Sequence, residues 1–143
     1  MVALPFSRVA VSLPRYRQGY PRNPRTVGEH IKKRRMDLSL LQKDVANIIG
    51  VSEDCITYWE NARSTPQIQF MPRIVKFLDY NPVDADMKTL AGQIRNYRIL
   101  NGLSHKKFGE MLGVDATTVG AWELGTSIPK KSTLERIRKY IKD

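Results

Sequence analysis

Sliding the 143-residue sequence against itself by 63 positions aligns residues 26–80 with 89–143 without a gap, and 14 of the 55 pairs are identical. Such a period constrains the fold strongly, because each copy must find its own core within 55 residues. The identities include Ile31/Ile94, Arg35/Arg98, Leu40/Leu103, Gly50/Gly113, Val51/Val114, Trp59/Trp122, Glu60/Glu123, Pro66/Pro129 and Ile74/Ile137. Conservative pairs extend the apolar pattern: Val45/Phe108, Ile48/Met111, Ile49/Leu112, Ile56/Val119 and Phe77/Tyr140. The chain therefore divides into a tail (1–25), a first domain (26–80), a linker (81–88) and a second domain (89–143). The linker contains Pro82, and eight residues reach at most about 26–29 Å.

Each copy reads as a run of short helices. Thr26-Val-Gly-Glu29 has the spacing of a capping box before an apolar and basic stretch ending near Met36. A second helix is expected over about 41–49, with Val45, Ile48 and Ile49 inward. Gly50 ends it, because the residue after a helix often needs a positive φ. Ser52 caps a third helix, about 52–61, with Ile56 and Trp59 inward. Pro66 marks a loop, and a fourth helix runs over about 71–78 with Pro72 in its first turn. The second copy predicts helices near 89–100, 104–112, 115–124 and 132–142, with caps at Ser104, Asp115 and Ser132 and a turn at Gly113.

Charge is spread unevenly. The formal net charge is +10. The tail carries five arginines (Arg8, Arg15, Arg17, Arg22, Arg25) and no acid. The first copy has 8 basic and 7 acidic residues, the second 10 and 5. A polyanion is the partner that such a balance favours. The tail's Pro5, Pro14, Pro21 and Pro24, interleaved with Tyr16 and Tyr20, favour extended geometry. It reads either as a solvated leader or as an arm that lays arginines on phosphates or into a minor groove.

Other classes are disfavoured. No apolar run approaches the roughly 18 residues of a membrane span, so no membrane partner is expected. The opening residues read as no secretory signal. The single cysteine, Cys55, excludes an intramolecular disulfide framework and reads as a small filler. His30 and His105 are isolated, and no ligands have metal spacing. There is no phosphate-cradling glycine loop and no nucleophile elbow, so neither an enzyme, a metal nor a cofactor is expected.

Two short helices joined by a tight glycine turn form a helix-turn-helix unit, whose second helix suits the major groove. LSLLQKDVANIIGVSEDCITYWENARSTP (38–66) resembles the helix-turn-helix of the phage repressor (Cro/XRE) family, and GLSHKKFGEMLGVDATTVGAWELGTSIP (102–129) resembles a second copy. The shared pattern is Gly-Val, a polar helix start, Trp-Glu and then Pro, seen twice at fixed spacing. The resemblance implies an all-α chain of two tandem lambda-repressor-like domains, four to five helices each, with an extended N-terminal tail.

The resemblance also implies site residues. Ser52, Glu53, Asp54 and Tyr58 would face bases in the first copy, and Asp115, Ala116, Thr117 and Ala121 in the second. Gln42 would contact phosphate, with His105 in its place in the second copy. Arg35–Glu60 and Arg98–Glu123 match a structural ion pair between the first and third helices. Lys43, Arg63, Ser64, Lys106, Lys130 and Lys131 suit backbone contact better than base reading. The Lys32-Lys33-Arg34 run reads as a solvated face. Glu53 and Asp54 either complement the helix dipole or accept from cytosine N4. The small side chains of the second recognition helix allow close approach and contact with thymine methyls. Shape readout would supply part of the specificity.

The resulting expectation is a sequence-specific double-stranded DNA-binding regulator of prokaryotic or phage type, cytoplasmic and nucleoid-associated. Two unlike modules would act as a built-in pseudo-dimer on an asymmetric target. The charge map points to the second module as the stronger DNA binder. Two rivals stay open. In one, the first domain docks a protein partner or another copy of the chain while the second holds DNA. In the other, the chain is an antitoxin whose tail neutralises a toxin.

Overall fold

The computed structural model describes residues 18–141. The expectation for the tail falls largely on residues 1–17, outside the described residues. All regular structure among the described residues is helical: α1 (Val27–Asp37), α2 (Gln42–Ile49), α3 (Glu53–Glu60), α4 (Met71–Leu78), α5 (Leu90–Leu100), α6 (His105–Leu112), α7 (Ala116–Leu124) and α8 (Lys131–Tyr140). A short 3-10 turn, Ile68–Phe70, precedes α4. Packing separates two compact units. One runs to Pro66 and resumes over Arg73–Pro82, and the other comprises Gln67–Pro72 with the chain from Val83 onward.

Helix starts follow local chemistry. Thr26 Oγ1 accepts from the Glu29 amide at 3.0 Å, while the Glu29 carboxylate accepts from the amides of Arg25 and Thr26 at 2.7 and 3.1 Å. Those bonds hold the Glu29 carboxyl below the usual carboxylate range. Ser52, Thr89 and Ser104 cap α3, α5 and α6 through their hydroxyls. Asp115 takes the cap position of α7 without a side-chain bond. Ser132, expected to cap the last helix, instead lies inside it. Lys130 occupies the cap position at φ −62° and ψ 158° with no side-chain acceptor. The chain turns helical as soon as the loop through Pro129 allows, and the first amides do not wait for a cap.

Each unit buries one face of every helix. In the first, Ile31, Val45, Ile49, Ile56, Trp59 and Ile74 are buried, and in the second Ile94, Phe108, Leu112, Val119, Trp122 and Ile137. α1 packs against the end of α3 because residue 28 is glycine: a Cβ there would lie 1.7 Å from the Trp59 carbonyl oxygen. Ile48, expected inward, is 56% exposed, and Met111 is exposed as well. At about 100° per residue, Val45, Ala46 and Ile49 define an arc whose centre lies roughly 105° from Ile48, and the same holds for Met111 in α6. Tyr140 also departs from the core pattern of its mate Phe77. It is exposed, with its ring against Tyr97 and Phe108.

Candidate nucleic-acid interface

The turn between α2 and α3 is built from two backbone features. Gly50 adopts φ 86°, and the amides of Gly50 and Val51 both return to the Ala46 carbonyl, at 2.8 and 3.0 Å. Gly113 repeats this at φ 76°, with the Val114 amide 2.8 Å from the Gly109 carbonyl. A left-handed residue costs glycine little, so the chain reverses within two residues and α3 or α7 starts at once. Arg73 from α4 adds a tie, donating from Nη1 to the Ile49 carbonyl at 3.1 Å.

The ion pairs set the orientation of these helices. Arg35 donates from Nε to Glu60 Oε2 at 2.7 Å, from Nη2 to Oε1 at 2.9 Å, and from Nη1 to the Leu40 carbonyl at 3.1 Å. Arg98 repeats the arrangement with both Glu123 oxygens and the Leu103 carbonyl. The Glu60 side chain is 1% exposed and the Glu123 side chain 8%. Such planar, two-point contacts fix both distance and angle between the first and third helix of each unit.

With Ile56 and Trp59 inward, α3 turns Ser52, Glu53, Asp54 and Tyr58 to solvent. Glu53 and Asp54 occupy the first turn, where carboxylates complement the positive helix end. α7 exposes Asp115 and Thr117, while Ala116 and Ala121 are half-buried. Lys43, Arg63, Ser64, Lys106, Lys130 and Lys131 are all exposed. Among the described residues no ion pair involves any of those five cations.

Gln42 and His105 sit differently from freely exposed phosphate ligands. Thr57 Oγ1 donates to Gln42 Oε1 at 2.8 Å, and Gln42 Nε2 donates to Glu60 Oε1 at 3.0 Å. His105 Nε2 lies 3.3 Å from Glu123 Oε1. The role of Thr57 was not visible in the sequence, because its counterpart in the second copy is Gly120. Arg73 left a signal, since Arg136 is its identical mate.

The basic run on α1 departs from the solvated face expected of it. Arg34 Nε donates to the Phe77 carbonyl at 3.2 Å, and Lys33 pairs with Asp37 at 3.3 Å. Asp37 also accepts from the Tyr20 hydroxyl at 2.6 Å, and Lys33 Nζ stands 5.7 Å from the Tyr20 ring centre. Burial, then the bond to Asp37, holds the Tyr20 phenol above its ordinary range. Residue 20 is thus seated on α1. His30 Nδ1 meets the Tyr80 hydroxyl at 2.6 Å, and burial pushes its imidazole below the ordinary range. No group of three or more possible metal ligands occurs among the described residues, and no helix there is long and apolar enough to cross a membrane.

Comparison with known families agrees with this geometry. A helix-turn-helix family model of the Cro/C1 type matches the chain twice, over residues 31–84 and 94–142. No curated protein matches the chain, and no solved structure does. The two matches cover most of the sequence, and each contains a glycine turn, an exposed third helix and an arginine–glutamate fork. The chain therefore belongs to that family, as a tandem helix-turn-helix protein of the XRE type, a family of DNA-binding transcriptional regulators.

Proposed function

We propose that the protein is a sequence-specific transcriptional regulator that grips double-stranded DNA with two unlike modules in one chain. The observation that carries this reading is the pair of forks, Arg35–Glu60 and Arg98–Glu123, each presenting a third helix with an outward polar face. In the first module Ser52, Glu53, Asp54 and Tyr58 would meet base edges, and in the second Asp115, Ala116, Thr117 and Ala121. Gln42, Lys43, Arg63, Ser64, His105, Lys106, Lys130 and Lys131 would hold phosphates. Because the two reading sets differ, the target would be asymmetric. A place on the nucleoid in the cytoplasm follows from that partner.

A second reading has its own support. The first module carries acids at Glu53 and Asp54 and exposes Leu41 and Ile48, at 67% and 56%, on its outer surface. Carboxylates repel phosphate, and exposed apolar side chains suit a protein partner. On this reading the first module docks a protein while the second holds DNA. Selection of bound duplexes from a random library separates the two. Two spaced motifs support the paired reader, and a single motif supports the adaptor. Recovery of no motif overturns sequence-specific binding altogether.

A further inference from the structure

The modules differ at one position, Gln42 in the first and His105 in the second, in the hydrogens that each side chain can offer an anion. In the first, Gln42 uses Oε1 to accept from Thr57 and Nε2 to donate to Glu60. A carboxamide nitrogen carries two hydrogens, so a second N–H remains available to an anion at any pH. In the second module the residue is His105, and the hydroxyl of Thr57 is replaced by Gly120. His105 Nε2 faces Glu123 Oε1 at 3.3 Å. An ionised carboxylate only accepts, so Nε2 carries the hydrogen in the neutral ring and Nδ1 presents a lone pair. A lone pair repels a phosphate oxygen. Only the imidazolium offers a second N–H.

The surroundings leave room for that contact. The His105 side chain is 44% exposed, and Glu123 is already matched by the two-point contact with Arg98. The charged groups near the ring are Glu123 on α7 and, through it, Arg98 on α5. Lys106 and Lys107 follow on its own helix. From α8, Arg136 lies at the far end of α6, beside Gly113.

We infer that the second module takes up a proton at His105 when it binds DNA, so that its hold on the backbone tightens on acidification while the first module's does not. This rests on the DNA-binding reading above. The charged ring already faces Glu123 in the free chain and gains its second anionic partner, the phosphate, only in the complex. Its contribution is therefore present where imidazolium is populated and is lost at higher pH, where the ring is neutral.

The test uses the full chain and a mixed-sequence duplex of about 30 base pairs, roughly three helical turns. Affinity is measured near pH 6 and near pH 8 at constant ionic strength. The wild-type protein is expected to bind about three- to tenfold more tightly at the lower pH. Calorimetry in buffers of different ionisation heat is expected to find about a quarter to a half of a proton taken up per complex, averaged over that pH range. His105→Gln should bring the affinity ratio between the two pH values to about one. His30→Gln should keep the wild-type ratio, because that ring is engaged with Tyr80. An unchanged ratio in His105→Gln, or a wild-type protein that takes up no proton, overturns the inference. A wild-type protein that binds no duplex at either pH overturns the DNA-binding reading and this inference with it.

Discussion

Glu60 and Glu123 are carboxylates held almost out of water, and each is tolerable only because an arginine meets both of its oxygens. Removing the arginine strands a buried charge, which costs roughly 3–5 kcal/mol. In the first unit Gln42 still donates to Glu60 after such a loss, whereas in the second only His105 faces Glu123. Arg98→Ala is therefore expected to destabilise its unit by about that amount, and Arg35→Ala somewhat less. Each unit holds one buried tryptophan, Trp59 or Trp122. Denaturant unfolding followed by fluorescence in single-tryptophan backgrounds thus reads each unit separately. A loss below about 1 kcal/mol for Arg98→Ala would show that the fork does not hold the unit together. The fork was legible in the sequence through the family resemblance, which implies such a pair and which Arg and Glu, 25 residues apart in both copies, match. The bridge from Thr57 through Gln42 to Glu60 was not, because it depends on the angle at which α2 crosses α3 and has no counterpart in the second copy.

At the scale of the element, helix positions followed from caps and glycines, and most boundaries fell within a residue or two of expectation. The inward face of α2 was harder to read. Val45, Ile48 and Ile49 fit a helical stripe equally well on paper, and only the direction of the packed neighbours excludes Ile48. The same difficulty touches α7, where exposure separates Thr117 from the half-buried Ala116 and Ala121. If α7 reads bases, Thr117→Ala should relax preference at one or two positions of the target, by about 1 kcal/mol at each. Tyr58→Ala should do the same at a different position if α3 also reads bases. Competition with duplexes changed one base pair at a time measures both. A flat profile for Tyr58→Ala beside a changed one for Thr117→Ala would remove the first module from base reading and favour its role in docking a protein.

For the whole molecule, the two units share a backbone plan but carry different charge. The first copy holds 8 basic residues against 7 acidic ones, and the second 10 against 5. Within the first unit, Lys33 and Arg34 are committed to internal contacts, which leaves Lys43 and Arg63 as the exposed cations on α2 and just after α3. The second unit offers Lys106, Lys130 and Lys131 there, and its third helix lacks the paired acids of α3. Each phosphate neutralised releases counterions and adds about 0.9 to the slope of log affinity against log salt. Exchanging Lys106, Lys130 and Lys131 for glutamine together should therefore lower that slope by about 2–3 and weaken binding to every sequence alike. Exchanging Lys43 and Arg63 should lower it by about 2 if both modules lie on DNA, and hardly at all if the first faces a protein. Titrations of one duplex over a range of salt, with both sets of variants, measure the two slopes. A smaller loss from the second-module set than from the first would reverse the assignment of the main backbone grip to the second module.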